Sequence, residues 1–351
     1  MILLIASLTL SACSRNGEAV PVAEDGDVYT LQTRAFLDFF DTLILLRIFV
    51  QSQEELDTYT QMIYEEFRRL HMLFDIYNEH EGVNNLWTIN QNAGIAPVYV
   101  DDSIISMLRF GIWAYEASGG ALNIAMGSVL SLWHEFRGGA DQSPPGMDVL
   151  TAAAQHMNIE DIIIDEAAGT VFLRDPYMSL DVGALAKGYA IERAAEVAVA
   201  AGVRSGVISV GGDMRLIGAP LDGRETWNVG VTNPHDTDNI LDPGTIDVVS
   251  IADVAMVTSG DYHRMIEYDG VRYHHIIDPA TLMPTWRYTA ITVIHRDGVL
   301  ANFLSTAAFI MPLEDAIEMI TYHGGDALVI FHDGTVYMTD GYKAVSQNLS
   351  P

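Results

Sequence analysis

Apolar residues recur along the chain at two different periods, which divide it into helices and strands. The stretch 42–50, TLILLRIFV, is almost wholly apolar and predicts a buried strand. Ser52 and Glu55 then form a capping-box pattern that predicts the start of a helix. Its core-facing residues, at helical spacing, are Leu56, Tyr59, Ile63, Phe67 and Leu70. A second core helix is expected over 102–118, ending at Gly119-Gly120.

The rest of the chain mixes the two patterns irregularly. Helices are expected near 184–201, 301–311 and 313–322, and strands near 206–210, 227–232, 247–257, 273–277 and 289–295. The segment 327–338 predicts a hairpin that turns at Asp333-Gly334. No period of 20 to 50 residues recurs, which excludes a solenoid. The pattern therefore predicts an α+β fold, with a single large mixed α/β domain over 31–345.

The first ten residues are apolar but too few to span a bilayer as a helix. They are followed by Ser11-Ala12-Cys13, and this order is similar to the bacterial lipoprotein signal, in which the cysteine is acylated. We interpret 1–13 as that signal and 14–30, rich in Gly, Glu, Asp and Pro, as a flexible tether. The expected protein is extracytoplasmic and anchored to the cell membrane through Cys13. The alternative is an incidental cysteine after a cleavable signal.

Composition narrows the function. The chain has 351 residues, 49% of them apolar, which is enough for a sizeable core. Its 47 acidic and 18 basic residues give a formal charge of -29, which disfavours nucleic acid as a partner. An anionic ligand would need a local positive centre, such as a metal or a helix start. Cys13 is the single cysteine, so cysteine-based metal or redox chemistry is excluded.

A glycine-rich segment, Leu180 to Ala190, runs from a strand into a helix. Gly183 and Gly188 allow close approach of a ligand, the helix start offers free amides, and Lys187 adds a cation. The glycine spacing is neither that of a Walker loop nor that of a dinucleotide fingerprint. Such turns are also common packing devices, and packing is the alternative interpretation.

Two further turns carry small polar residues. Ser209-Val-Gly-Gly-Asp213 closes a strand, and Thr258-Ser-Gly-Asp-Tyr262 offers hydroxyls and amides that could hold a phosphate or a ribose. Either turn could be only a strand end.

His274-His275-Ile-Ile-Asp278-Pro279 supplies an acid/base candidate and a carboxylate at the end of an expected strand. Alternation along the strand would place the two histidines on opposite faces, so that one of them reaches the site. A surface histidine pair with a turn aspartate is the alternative.

Ala301 to Thr306 is expected to open a helix. Asn302 and Thr306, four residues apart, would project from one face and could both offer oxygen to a hard cation such as Mg²⁺. Helix capping is the alternative role for these side chains.

In this order, the segments resemble the ApbE family of FAD:protein FMN transferases over about 40 to 340. The matching elements are Asp181 to Tyr189, Gly211-Gly212-Asp213, Thr258 to Tyr262, His275 to Pro279 and Ser305-Thr306-Ala307. Gly119 to Gly127 and Leu132-Trp133 look like earlier elements of the family. Five ordered matches are far more specific than any one of them.

The resemblance implies the ApbE-type α+β fold and a reaction. FAD would bind with its pyrophosphate beside Mg²⁺, and a Thr or Ser hydroxyl of an acceptor flavoprotein would attack the FMN phosphorus and expel AMP. It implies catalytic roles for His275 and Asp278, and metal ligation by Asn302, Thr306 and the Ala184 carbonyl. The implied FAD-binding residues are Asp181, Lys187, Gly188, Gly212, Asp213, Thr258, Ser259 and Gly260.

The sequence departs from the family at several positions. Asn302 and Asn123 stand where aspartates are usual, and Leu282 replaces a common glycine. Asn90 fits the family's early asparagine, although the serine before it is not evident. Two other functions stay open: an FAD pyrophosphatase that uses water as the acceptor, and a catalytically impaired flavin-binding lipoprotein.

Overall fold

The computed structural model describes residues 28–139, 143–236, 244–262 and 264–349. The helices are α1 (Gln53–Phe74), α2 (Leu86–Gln91), α3 (Asp102–Ala117), α4 (Gly127–Gly138), α5 (Met147–Ala153), α6 (Gly183–Ala201), α7 (Gly298–Ile310), α8 (Leu313–Tyr322) and α9 (Asp340–Val345). The strands are β1 (Thr30–Phe36), β2 (Ile44–Val50), β3 (Val98–Tyr99), β4 (Ile162–Asp165), β5 (Thr170–Leu173), β6 (Gly206–Val210), β7 (Asp213–Ile217), β8 (Trp227–Thr232), β9 (Thr245–Ile251), β10 (Ala255–Gly260), β11 (Ile266–Tyr268), β12 (Val271–Tyr273), β13 (Ile277–Asp278), β14 (Met283–Pro284), β15 (Ala290–His295), β16 (Asp326–Ile330) and β17 (Val336–Met338).

An eight-stranded sheet forms the centre of the molecule, in the order β1-β2-β6-β7-β10-β15-β16-β17. Every neighbouring pair in it is antiparallel. Smaller sheets are formed by β3-β5-β4, β8-β9, β11-β12 and β13-β14. The antiparallel pairing and the separate helices confirm the predicted α+β class.

The sheet is covered on both faces. On one face α1, α3, α6, α7 and α8 build the larger core, and on the other β8, β9 and α9 build a second one. The strand β2 shows why both faces are apolar, because Ile44, Leu46 and Ile48 enter the first core and Phe49 the second. Antiparallel strands with one solvated face would alternate between apolar and polar residues instead.

The predicted helix after Ser52 is present as α1, and its capping differs slightly from the expected box. The Ser52 hydroxyl accepts a hydrogen bond from the Glu55 amide at 3.1 Å. The Glu55 carboxylate reaches back to the Gln51 amide, one residue earlier than in the standard motif, at 2.8 Å. The C-terminal hairpin of β16 and β17 also forms as predicted.

Three element boundaries were wrong. The strand expected over 247–257 is two strands, because the chain turns at Asp253, which has a φ of 49°. The strand expected over 273–277 is interrupted between β12 and β13. The helix expected from 301 begins at Gly298, because the Asp297 carboxylate caps the amides of Val299 and Leu300 at 2.7 and 3.0 Å.

The expected signal 1–13 with Cys13, and nearly all of the expected tether, lie outside the described residues. The last residue of that tether, Thr30, already begins β1, a strand that the sequence pattern did not predict. Among the described residues no helix combines the length and the apolar character needed to cross a membrane.

Candidate active site

The start of α6 is held by two side-chain contacts. The Asn90 side chain, in α2, makes two hydrogen bonds to the Leu180 backbone. It accepts from the Leu180 amide at 2.7 Å and donates to the Leu180 carbonyl at 3.0 Å. The buried carboxylate of Asp181 then accepts from the Gly183 amide at 2.8 Å. The glycine-rich segment therefore enters the helix in a fixed position.

Lys187 connects three of the predicted segments. Its ammonium pairs with the carboxylate of Asp213, which is almost fully buried. Asp213 follows the turn at Gly211 and Gly212, whose φ angles of 60° and 96° favour glycine. Its other carboxylate oxygen accepts from the Thr258 amide at 3.2 Å. The α6 start, the Gly-Gly-Asp turn and β10 thus meet at one ion pair.

The helices α6 and α7 run antiparallel and touch closely. At the start of α7 the Gly298 amide donates a hydrogen bond to the Glu192 carboxylate of α6 at 2.7 Å. The same carboxylate also pairs with Arg215. One turn away, the Asn302 side-chain oxygen accepts from the Gly188 amide at 2.9 Å. A Cβ atom on Gly188 would lie only 2.3 Å from that of Asn302, so glycine is needed for this approach. Continued by one more turn, the same register predicts that Ala184 lies opposite Thr306.

Asn302 and Thr306 lie one turn apart on α7, so the packing predicts that both face the part of α6 that carries Ala184 and Gly188. Thr306 is in contact with β10 as well, because its hydroxyl lies 3.3 Å from that of Ser259, which also bonds Ser305 at 3.1 Å. The three predicted metal ligands are all oxygen donors, which suits a hard cation. None of the three carries a charge, and no group of three or more His, Cys, Asp or Glu side chains in the described part of the chain could hold a metal. The set fits Mg²⁺ if further negative charge arrives with the ligand.

The other residues of the Thr258–Gly260 segment, which was expected as a turn, form the end of strand β10. The Thr258 hydroxyl bonds that of Thr292 at 2.9 Å, on the neighbouring strand β15. Gly260 packs against the ring of Tyr262, since a Cβ atom there would lie 2.4 Å from it. These contacts fix the backbone of β10 beside the Lys187–Asp213 pair.

His274 and His275 have different environments, but not through strand alternation. Both lie in the interruption between β12 and β13. His274 is fully buried, accepts from the Ile276 amide at 3.1 Å and donates to the Thr285 carbonyl. Burial lowers the pKa of His274 to about 4. It is a neutral structural residue.

His275 has a buried Nδ1 atom without a hydrogen-bond partner among the described residues. Burial, with repulsion from Arg264, His274, Arg137 and Lys187, lowers the pKa of His275 to about 3. Its ring is therefore neutral near pH 7. No hydrogen bond from the described residues occupies its Nδ1 atom. Asp278 does not hydrogen-bond to it in the described contacts: that carboxylate accepts from the Ala280 amide at 2.8 Å and closes the turn before β14.

The structure adds residues that the sequence pattern did not single out. The Tyr77 hydroxyl bonds Nδ1 of His134 at 2.8 Å, and Nε2 of His134 lies 3.9 Å from the Asp181 carboxylate. Burial, with repulsion from Arg137 and Arg264, lowers the pKa of His134 although Asp181 opposes this. These residues come from distant segments with no common motif. The one available signal was the position of His134 directly after Leu132-Trp133, an element already matched.

Comparison with known proteins identifies the family of the chain. The profile of the ApbE family matches residues 40–331. A FAD:protein FMN transferase of Treponema pallidum is 32% identical over 312 residues, which cover 85% of this chain and 84% of that protein. A FAD:protein FMN transferase of Klebsiella pneumoniae is 29% identical, covering 68% and 72%.

Solved structures show the same fold. The crystal structure of the ApbE protein of Thermotoga maritima superimposes with a TM-score of 0.79 at 28% identity and covers 91% of this chain and 99% of that one. The flavin transferase ApbE of Vibrio cholerae has the same fold, with a TM-score of 0.74 at 23% identity, covering 90% and 100%. The chain belongs to the ApbE family and, like these curated relatives, is a transferase.

Proposed function

We propose that the protein transfers the FMN part of FAD to a Thr or Ser hydroxyl of an acceptor flavoprotein and releases AMP, in a reaction that depends on Mg²⁺. The observation that carries the proposal is the meeting of α6, the Gly-Gly-Asp turn and β10 at the Lys187–Asp213 pair. His275 is close enough for the charge of Lys187 to affect its pKa. The names of the relatives support the same activity.

Charge neutralisation is the main task in such a reaction, because the pyrophosphate is anionic and the protein is strongly acidic. Lys187 and the backbone at the start of α6 supply fixed positive groups. Asn302, Thr306 and the Ala184 carbonyl would hold Mg²⁺, which when bound supplies further positive charge to the pyrophosphate oxygens.

His275 is the proposed base. The acceptor hydroxyl oxygen forms a bond to the FMN phosphorus, the bond from that phosphorus to the AMP phosphate oxygen breaks, and AMP leaves with the electron pair. The hydroxyl proton goes to Nδ1 of His275, which is unpartnered among the described residues. A base with a pKa of about 3 is weak, but an anionic pyrophosphate beside the same cations raises that pKa. Asp278 stays a predicted partner in this step.

The test is to incubate purified protein with FAD, Mg²⁺ and an acceptor flavoprotein, and to measure AMP and covalently bound flavin. We expect both products, and their loss in Lys187→Ala. Lys343→Ala is the matched control, because Lys343 lies in α9 and pairs with the exposed Asp340. AMP formed equally without any acceptor would favour the pyrophosphatase. FAD binding without AMP would favour a non-enzymatic flavin-binding lipoprotein.

We also propose that the protein is an extracytoplasmic lipoprotein, acylated at Cys13. The support is the order of an apolar run, two small residues and a single cysteine. One acyl chain gives marginal membrane binding, so stable anchoring requires more than one. Cells that express Cys13→Ser should release the protein from the membrane fraction, and wild-type protein found wholly in the cytoplasm would refute the anchor.

A further inference from the structure

The last turn of α4 carries Arg137, which the family motifs do not include. Its helix is fixed against the segment that bears His275. The Trp133 indole donates to the Leu282 carbonyl at 3.0 Å, and the Trp133 and Phe136 rings lie 5.9 and 5.5 Å from that of Tyr273. The helix backbone from which Arg137 extends is therefore fixed beside that segment.

The positive charge of Arg137 is poorly compensated. Its Nη1 atom is buried and has no hydrogen-bond partner among the described residues. Burial lowers the pKa of Arg137, and Tyr77 and Asp181 oppose this only by attraction through space. Asp181 already accepts from Gly183, and Tyr77 already bonds His134. A partly buried guanidinium without a charged partner costs free energy, and an anion that pairs with it would lower that cost.

A second guanidinium stands nearby. Arg264 repels Arg137, and both lower the pKa of His275. The described hydrogen bond of Arg264 goes to a neutral group, the Phe40 carbonyl, at 3.3 Å. Lys187 adds a smaller repulsion, because its ammonium is paired with Asp213. These cations lie near His275 in a chain with 18 basic and 47 acidic residues. Two like charges held close together repel each other, and an anion bound between them would relieve that repulsion.

We propose that Arg137, with Arg264 beside it, binds the pyrophosphate of the dinucleotide substrate. This inference rests on the proposed function. A guanidinium suits the task because its planar donors match two phosphate oxygens at once.

The test measures binding of inorganic pyrophosphate and of FAD by calorimetry, at low salt and with EDTA present, so that metal is excluded. Arg137→Gln should weaken both at least about tenfold, as expected for a lost charged hydrogen bond. The affinities of Arg137→Lys should lie between those of wild type and Arg137→Gln. Lysine keeps the positive charge but lacks the planar pair of donors of a guanidinium. Arg109→Gln is the matched control, since Arg109 is exposed and pairs with Glu166.

A second readout separates ligand binding from a structural role. Because Arg137 is uncompensated without ligand, Arg137→Gln should be at least as stable as wild type in urea, and should lose the stabilisation that pyrophosphate gives to wild type. A variant that is less stable but binds pyrophosphate normally would overturn the inference. If wild type binds FAD and releases AMP while Arg137→Gln has the same affinity, the inference alone fails. Wild type that binds neither FAD nor pyrophosphate would remove the proposed function as well.

Discussion

At the scale of single residues, the departures from the family pattern have definite local roles. Asn123 is buried, accepts from the Ala125 amide at 2.8 Å and donates to the Met157 carbonyl at 3.0 Å. An aspartate could make only the first of these bonds. Leu282 has a φ of 61°, where glycine is favoured, and it is retained with its side chain buried and its carbonyl bonded to Trp133. Asn123 thus makes a bond that an aspartate could not, whereas Leu282 buries its side chain in spite of an unfavourable backbone conformation.

His275→Ala should lower flavin transfer by about 10²- to 10⁴-fold, the usual effect of losing a general base. FAD binding should change little, because Lys187 and the backbone carry it. Transfer and FAD affinity are measured separately, with His156→Ala as the control, since His156 pairs with Asp175 elsewhere. His274→Ala is a poor control, because that ring supports the fold. Full transfer in His275→Ala would move the base to Asp278 or to the acceptor.

Asn302→Asp should tighten Mg²⁺ binding, because a carboxylate adds an attractive charge for a hard cation. The new side chain can still accept from the Gly188 amide. Since position 302 is almost fully buried, the unpaired charge should also destabilise the metal-free protein. The thermal shift caused by Mg²⁺ is therefore expected to be larger in the variant than in wild type. An equal shift in both proteins would place residue 302 outside the metal site.

At the scale of elements, the pair of α6 and α7 sets the geometry of the site. Gly188→Ala should lower the free energy of unfolding by about 1–3 kcal/mol, because the added methyl group would lie 2.6 Å from the Gly298 carbonyl oxygen and force the helices apart. Gly138→Ala is the matched control, since a Cβ atom there meets nothing within 4 Å. Urea unfolding measures both. Equal stability of the two variants would contradict the close approach of the helices.

The helix α1 was predictable from sequence because it buries one face at the helical period, through Leu56, Ile63, Phe67 and Leu70. The sequence analysis did not predict α2, α4, α5 or α9. The strand β1 was not predictable either, because its residues are exposed or half-buried and carry no strong pattern. The interruption after β12 was missed as well. The His274 ring bonds the backbone two residues ahead, which a periodicity argument does not register.

The site itself was predictable as far as local motifs reach. Lys187, Asp213 and Thr258 belong to recognisable local motifs, and the structure brings them together. The turn expected at Thr258 is instead the end of strand β10. Arg137 and Arg264 belong to no such motif. Arg137 lies near His275 because α4 packs on the segment 273–282, a contact between distant parts of the chain. Arg264 lies just before β11, outside every recognised motif.

At the scale of the whole molecule, stability should fall in mild acid. The pKa of His274 is about 4 in the folded protein and 6.5 when unperturbed, so the unfolded chain binds more protons between those values. The stabilisation is complete above about pH 6.5 and is lost as the pH falls toward 4, by up to about 3 kcal/mol. His275 acts in the same direction. The free energy of unfolding, measured by urea unfolding at several pH values, should depend less steeply on pH in His274→Gln than in wild type. An unchanged dependence on pH would contradict this account.

The two lysines make the site accessible to chemical footprinting. Lys343 has a side chain that is 40% exposed, whereas that of Lys187 is 27% exposed and its ammonium is held by Asp213. An amine-acylating reagent should therefore modify Lys343 quickly and Lys187 slowly, so that one protein carries its own internal standard. Because only these two side chains carry amines, the ratio of the two modified peptides in a mass spectrum reports directly whether a ligand covers Lys187.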